Sequence, residues 1–133
     1  MKKAASPAVV YVIATRGTIA NTITGRVHVA KVIQSLPELK KVMKLEVEEL
    51  VRINSNSLTL EHWLQIAKRI NTGLSRRDIH GVVVTHGSNT VEETAYFLNL
   101  TVKSTKPVVV TAAQRKFGSL ALTAPRIYGT LSW

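Results

Sequence analysis

The sequence predicts a doubly wound α/β fold, a Rossmann-like arrangement of three layers in which a mostly parallel sheet carries helices on both faces. Short apolar runs rich in β-branched residues alternate with segments whose apolar residues recur at helical spacing. The links between these segments are short, and such alternation is typical of parallel strands joined by right-handed crossovers. No internal repeat interrupts the pattern, so the 133 residues are predicted to form one domain.

Four strands and three helices are predicted from these patterns. Pro37 and Gly73 are expected to stop the helices that precede them. No strand or long helix is predicted after the fourth strand, so the sheet looks cut short. In chain order the predicted elements are the strand Val9–Ala14, the helix Val29–Leu36, the strand Leu45–Ile53, the helix Leu60–Ile70, the strand Val82–Val84, the helix Val91–Val102 and the strand Pro107–Thr111.

The stretch Gly81–Thr101 organises the chain, because its pattern indicates a strand, a tight polar turn and a helix. Gly87 ends the apolar run, and glycine tolerates turn geometry that other residues resist. Thr90 and Glu93 have the spacing of a capping box. The turn follows the carboxyl end of its strand, where open α/β sheets bind ligands, and its groups suit a small polar or anionic molecule. Such residues are equally typical of a turn that satisfies only its own backbone.

The composition excludes several classes of site. The chain contains no cysteine, so it has no disulfide, no thiolate metal site and no thiol nucleophile, and it fits a reducing compartment such as the cytoplasm. Its four histidines are dispersed, which predicts no metal site, and His86 is expected in a turn or at the surface. No run approaches the roughly 18 apolar residues that a membrane-spanning helix needs.

The charge is strongly basic but spread along the chain. Lysine and arginine number 18 against 8 acidic residues, which gives a formal net charge of +10. Such a balance attracts polyanions, yet no block reaches five or six like charges. Aromatic residues make up only 5% of the chain, so no stacking platform for single-stranded nucleic acid is predicted. Nucleic acid is not expected as the main partner.

Three consecutive predicted strands end in turns rich in hydroxyl groups. Thr15 and Thr18 follow the first strand, Ser55 and Ser57 the second, and Ser88 the third. If these strands are neighbours, their turns share one crevice. A threonine or serine hydroxyl is a nucleophile when a base activates it, and backbone amides at a glycine turn can hold a developing oxyanion. The pattern therefore favours acyl transfer.

Two separated motifs resemble those of the bacterial-type L-asparaginases. TRGTIA at Thr15–Ala20 resembles the family motif TGGTIA, and THGSNT at Thr85–Thr90, followed by EETAYFL and KPVV, resembles the family motif THGTDT and its continuation. The intervening segments VRINSNS and EHWLQIAKRIN are also similar to the family. The resemblance extends to about Arg115. It implies that residues 1–133 are an incomplete N-terminal asparaginase-like domain without the family's C-terminal domain.

The resemblance implies an amidohydrolase that converts L-asparagine to aspartate and ammonia, with L-glutamine as a second candidate substrate. It also implies a homo-oligomer, and it implies neither a metal nor a cofactor. Thr18 matches the threonine nucleophile, and Ser55 matches the serine that binds the α-carboxylate of the substrate. The implied catalytic positions are Thr18, Ser88 and Asn89, and the implied substrate-binding positions are Ser55, Asn56 and Gly87.

Departures from the family pattern fall at the implied site. Arg16 replaces a motif glycine beside Thr18. Asn89 stands where the family has an aspartate, and an amide can neither balance an ammonium group nor act as a base. Thr22 stands roughly where a loop tyrosine helps to activate the nucleophile, and the family's catalytic lysine lies beyond Trp133. Three functions fit this sequence: an active but impaired amidohydrolase, an inactive remnant that binds a small ligand, and a basic module that binds polyanions.

Overall fold

A computed structural model of the chain describes residues 7–15, 21–22, 25–26, 28–113 and 127–128. Within these ranges the chain forms strands, α-helices and two 3₁₀ turns, which span Ser55–Ser57 and Ser88–Thr90. The strands are β1 (Ala8–Ala14), β2 (Asn21–Thr22), β3 (Gly25–Arg26), β4 (Met43–Glu49), β5 (Ile79–His86), β6 (Val108–Ala113) and β7 (Ile127–Tyr128), and the helices are α1 (Val29–Gln34), α2 (Pro37–Val42), α3 (Leu60–Ser75) and α4 (Val91–Thr101).

The main sheet has the strand order β4-β1-β5-β6-β7, and β2 pairs with β3 in a separate two-stranded ribbon. The strands β4, β1, β5 and β6 are parallel, which confirms the predicted doubly wound α/β fold with four parallel strands. The prediction that no strand follows the fourth is wrong. Ile127–Tyr128 pairs antiparallel with Ala112 and Ala113, and a strand of two residues is too short to leave an alternating pattern.

Helices cover both faces of the sheet. Alternate residues of β1 point to opposite faces and therefore belong to two different cores. Ile13 belongs to the larger core, which α3 and α4 close from one face. Val12 and Ala14 belong to a smaller core that α1 closes from the other face through Val29. The larger core is formed by Ile13, Val51, Ile66, Ala67, Ile70, Leu74, Ile79, Val82, Val84, Ala95, Leu98 and Val110.

The second strand ends earlier than predicted, at Glu49 instead of Ile53. Its neighbour β1 ends at Ala14, and the last bond between the two runs from the Leu50 N–H to the Ala14 carbonyl at 3.0 Å. Among the described residues, no strand pairs with the chain after Leu50. Val51 and Ile53 pack into the larger core instead, so their apolar character reflects burial and not strand structure.

The helix boundaries also differ in part from the prediction. α1 ends before Pro37 as expected, but Pro37 then begins a separate helix at its first turn, a position where a missing N–H has no cost. Gly73 does not end α3, which continues to Ser75. Within the described ranges no helix is long and apolar enough to cross a membrane.

Gly73 is needed inside α3 because the ring of Tyr11 lies against the helix at that point. A Cβ atom on residue 73 would stand 2.7 Å from Cδ1 and 2.9 Å from Cε1 of Tyr11. Glycine normally weakens a helix interior by about 1 kcal/mol relative to alanine. Here it allows a strand residue and a helix to approach closely, so the helix continues through it.

The α3 side of the outer strand β4 is charged where an apolar face would be expected. Arg69 donates to Glu48 through Nε and Nη2 at 2.9 and 2.6 Å, and the Tyr11 hydroxyl also bonds to Glu48. Arg76 donates to Glu46 through Nη1 at 2.8 Å and Nη2 at 3.2 Å. Among the described strands, β4 has a neighbour on one side only, and salt-bridged carboxylates on such a strand discourage pairing with another chain.

Raising the pH above 10 is expected to weaken the fold through Tyr11. Burial, and then the hydrogen bond to Glu48, raises the pKa of the Tyr11 hydroxyl from 10.0 to about 12. The unfolded chain releases this proton at a lower pH than the folded chain, so the stabilisation is complete below pH 10 and is lost as the pH rises towards 12. Urea unfolding between about pH 9 and pH 12 should show a decline in the unmodified chain that Tyr11→Phe reduces.

The matched control for this titration is Tyr96→Phe, because Tyr96 is 64% exposed on α4. Its decline with pH should equal that of the unmodified chain. An equal decline in Tyr11→Phe would show that the stability does not depend on the Tyr11 hydroxyl.

Candidate active site

Two polar turns meet at the carboxyl edge of the sheet. β4, β1 and β5 are parallel neighbours, so the turns that follow them leave the sheet at the same edge. The Thr90 hydroxyl, in the turn after β5, donates a hydrogen bond of 2.9 Å to the Ser55 carbonyl, in the turn after β4. This bond joins residues 35 positions apart in the chain and fixes one turn against the other.

The end of β1 is attached to the end of β5. Both the backbone N–H and the hydroxyl of Thr15 donate to the Thr85 carbonyl, at 3.0 and 2.7 Å. Thr15 is buried there. Thr18, the predicted nucleophile, lies outside the described residues, as does Arg16.

The structure brings the other predicted site residues to the two joined turns. Ser55 is the first residue of its 3₁₀ turn and is 6% exposed, whereas the neighbouring Asn56 is exposed. In the other turn Gly87 is buried, Ser88 is half-buried and Asn89 is exposed. The site therefore presents two exposed amide side chains from two turns, with the Ser55 side chain buried beside them.

The reason given for Gly87 from the sequence is wrong. Its φ of −79° and ψ of 145° are extended backbone angles that any residue can adopt. Gly87 is buried, so what distinguishes this position is its burial and not a special backbone conformation.

The predicted capping box at Thr90 and Glu93 is also wrong. Thr90 precedes α4 but makes no side-chain bond to the helix, because its hydroxyl is directed to Ser55. Glu92 and Glu93 are exposed in the first turn, where negative charge favours the helix dipole. A capping box does occur at the start of α3, where Thr59 and His62 bond to each other's backbone N–H groups.

His86 is buried beneath the turn, so its expected place at the surface is wrong and its expected role in the turn is supported. The ring is completely buried, with Nδ1 2.7 Å from the Gly87 carbonyl and Nε2 2.9 Å from the Thr94 hydroxyl. Burial lowers the pKa of His86 below its ordinary value, which favours the neutral ring. The sequence offered one signal for this contact, since Thr94 is a polar residue on the apolar stripe of its helix.

The described part of the site lacks a carboxylate. Asp78, the single aspartate of the sequence, precedes β5 and pairs with Arg76 through Oδ2 at 2.6 Å, at the opposite end of that strand from the turns. No group of three or more His, Cys, Asp or Glu side chains that could hold a metal occurs among the described residues. Hydroxyls, amide side chains and backbone N–H groups remain, which can bind a small polar molecule but cannot remove a proton at neutral pH.

The hydroxyl-rich edge extends to the next strand. Thr85 and Thr111 are opposite each other in the β5–β6 register, and both are buried. Their hydroxyls have no hydrogen-bond partner within the described part of the chain. Together with Thr15, they place hydroxyl groups at the ends of three adjacent strands.

Known proteins and a family model are similar to most of this chain. A family model described as asparaginase, N-terminal, matches residues 9–126. L-asparaginase 2 of Bacillus subtilis is 42% identical over 124 residues, and L-asparaginase 2 of Escherichia coli is 41% identical over 123 residues. These alignments cover 86% of this chain but only 33% and 35% of the relatives, so the chain spans about a third of their length.

A solved structure supports the same assignment. The crystal structure of a probable cytoplasmic L-asparaginase from Campylobacter jejuni matches with a TM-score of 0.78 and 37% sequence identity. The match covers 86% of this chain and 37% of that one. The family model matches most of the chain, in agreement with the sequence motifs, the parallel sheet and the two joined turns. The chain therefore belongs to the asparaginase family and represents its N-terminal region.

Proposed function

We propose that this chain carries the nucleophile and substrate-contact segments of an L-asparaginase-type amidohydrolase. L-Asparagine is the substrate and L-glutamine the second candidate, which agrees with the relative from Pseudomonas fluorescens named glutaminase-asparaginase. The observation that carries the proposal is the joining of the two turns by the Thr90–Ser55 bond, because substrate contacts are assigned to both turns. Ser55 and Asn56 contribute from one turn, and Gly87, Ser88 and Asn89 from the other.

In the proposed reaction the Thr18 hydroxyl attacks the side-chain amide carbon of asparagine. The new C–O bond replaces the C–N bond, and the nitrogen leaves as ammonia after it takes up the proton that the Thr18 hydroxyl loses. Water then hydrolyses the ester, which releases aspartate and restores the hydroxyl. The Ser55 hydroxyl and the turn amides hold the α-carboxylate, and the amide at Asn89 faces the substrate amine without a compensating charge.

The second candidate function is ligand binding without turnover. It is favoured by the absence of a carboxylate from the described turns, since Asn89 is neutral and Asp78 pairs with Arg76. Both functions require that a small carboxylate-bearing ligand binds at the turns, so binding is the first property to test. Turnover then separates the two.

Calorimetric titration with L-aspartate, the product, tests the proposed site. Ser55→Ala should weaken binding by about tenfold or more, because a hydrogen bond to a charged group contributes roughly 1.5–3 kcal/mol. Ser57→Ala is the matched control, since Ser57 is exposed in the same 3₁₀ turn, and its affinity should be unchanged. Equal affinities for all three proteins would contradict the proposed role of Ser55.

Self-association in the cytoplasm is part of the same proposal. Leu60, Leu64, Tyr96 and Leu100 are each more than half exposed on α3 and α4, and exposed apolar side chains of this size favour contact with another chain. Sedimentation velocity should detect a species larger than the monomer, and a single monomeric species at high concentration would contradict this.

The cytoplasmic location agrees with the name of the Campylobacter jejuni protein, although a relative from Haemophilus influenzae is named as periplasmic.

A further inference from the structure

A chain of hydrogen bonds runs from the helical layer to the turn after β5. The Trp63 indole N–H, on α3, donates to the Thr94 hydroxyl at 3.0 Å. Thr94, on α4, contacts Nε2 of His86 at 2.9 Å, and Nδ1 of His86 contacts the Gly87 carbonyl at 2.7 Å. His86 and Thr94 are both completely buried. The series thus connects two helices to a turn of the candidate site through two completely buried side chains, His86 and Thr94.

The chemistry of the groups fixes the direction of every bond in this series. The indole N–H can only donate and the Gly87 carbonyl can only accept, so Nδ1 of His86 carries a hydrogen. In a neutral ring Nε2 is then an acceptor, which takes the single hydrogen of the Thr94 hydroxyl. The oxygen of Thr94 accepts from Trp63 at the same time. Every donor points towards the turn, and the lowered pKa of His86 agrees with the neutral ring that this arrangement needs.

The other neutral tautomer does not fit the same contacts. A hydrogen on Nε2 would leave the lone pair of Nδ1 facing the Gly87 carbonyl oxygen at 2.7 Å, which places two acceptors against each other. The Gly87 carbonyl therefore selects the tautomer with a hydrogen on Nδ1, and the Thr94 hydroxyl supplies the hydrogen that Nε2 then accepts. The planar trans peptide then directs the N–H of Ser88 away from that carbonyl and so away from the buried His86.

We propose that Trp63, Thr94 and His86 are positioning residues that fix the peptide between Gly87 and Ser88 for binding of the substrate carboxylate. This inference rests on the proposed function for its ligand, and on the three hydrogen bonds for the orientation of the peptide. None of the three side chains contacts the ligand in this arrangement. Their effect on affinity passes through the backbone of the turn.

Two matched pairs of variants test the proposal. Asparagine can place its amide nitrogen where Nδ1 of histidine lies, so His86→Asn keeps the donor to the Gly87 carbonyl. Glutamine places its amide group where Nε2 lies, so His86→Gln loses that donor. Thr94→Val removes the hydroxyl at nearly constant shape, and Thr94→Ser retains it. We expect L-aspartate affinity to fall by about tenfold in His86→Gln and Thr94→Val, equivalent to one hydrogen bond. We expect His86→Asn and Thr94→Ser to stay within about twofold.

Nitrogen NMR of the unmodified chain provides a measurement that needs no ligand. The His86 ring should show a protonated Nδ1 and an unprotonated Nε2, and the Ser88 amide resonance should shift in Thr94→Val and return in Thr94→Ser. If the buried variants fail to fold, Trp63→Phe removes only the indole donor and should shift the same resonance. A protonated Nε2, or a Ser88 resonance that does not respond to these changes, would overturn the proposal.

The ligand measurements separate this inference from the proposed function. If the chain binds no L-aspartate, the proposed function fails, while the tautomer and the Ser88 resonance still decide whether the three residues hold the peptide. Two outcomes with a chain that binds L-aspartate would show that the positioning role is wrong and that the side chains support only the fold. One is an equal loss of affinity in His86→Asn and His86→Gln. The other is an affinity that follows the free energy of unfolding across the series of variants.

Discussion

Ammonia release from L-asparagine by this chain is expected to be slower by roughly 10²-fold or more than release by the full-length Bacillus subtilis relative. A general acid or base contributes about 10²–10⁴-fold to such reactions, and the two described turns themselves contain no carboxylate for that role. Asn89 is an amide where the family motif has a carboxylate, and Asp78 is held by Arg76 at the far end of β5. Turnover near that of the relative would contradict this prediction.

The variant Asn89→Asp identifies how much of the deficit comes from this one side chain. Asn89 is exposed, so a carboxylate there would ionise without a large cost of burial. We expect ammonia release and L-aspartate affinity to rise in Asn89→Asp and not in the control Ser57→Asp, which adds the same charge at an exposed position of the other turn. Losses within one catalytic unit are not additive, so the gain need not equal the whole deficit.

Gly73→Ala is expected to destabilise the chain by about 1–3 kcal/mol, although alanine is the better helix former. The new Cβ atom would lie 2.7 Å from Cδ1 of Tyr11, and the phenol cannot easily move because its hydroxyl bonds to Glu48. Urea unfolding of the two proteins measures the difference in free energy.

A double-mutant cycle with Tyr11→Ala isolates the contact. Once the ring is removed, Gly73→Ala should become neutral or stabilising by up to about 1 kcal/mol, its ordinary helix effect. Thr72→Ala, at an exposed position of the same helix, controls for helix propensity alone. Destabilisation by Gly73→Ala that is the same with and without Tyr11 would show that the ring is not the cause.

The sheet could be predicted because its signals are local. The apolar runs of β1, β5 and β6 are continuous, and such runs specify buried parallel strands without reference to the rest of the chain. The end of β4 could not be predicted in the same way. It depends on where its neighbour β1 ends, and the apolar residues Val51 and Ile53 leave a strand-like pattern although they lie beyond the strand and pack into the larger core.

The residue types of the candidate site could be predicted from the sequence, but the hydrogen bonds that connect them could not. Polar residues after each strand indicate a crevice, whereas the partner of the Thr90 hydroxyl is a carbonyl 35 residues away. Separation in sequence likewise hides the role of Gly73, which is set by Tyr11 on β1. The burial of His86 could not be predicted, because only the fold reveals Thr94 and Gly87 on either side of its ring.

The candidate site has two halves, the turn after β4 and the turn after β5, and the strand order gives them different resistance to local opening. Among the described strands, β4 is the outermost and is paired on one side, whereas β5 is paired on both. Outer strands exchange their amide hydrogens through small local openings, and central strands through larger ones. Because the Ser55 turn follows β4, a ligand that bridges both turns would stabilise the closed form of the weaker half. Binding of this ligand should therefore slow the exchange of amide hydrogens along β4, at a distance from the atoms that the ligand contacts.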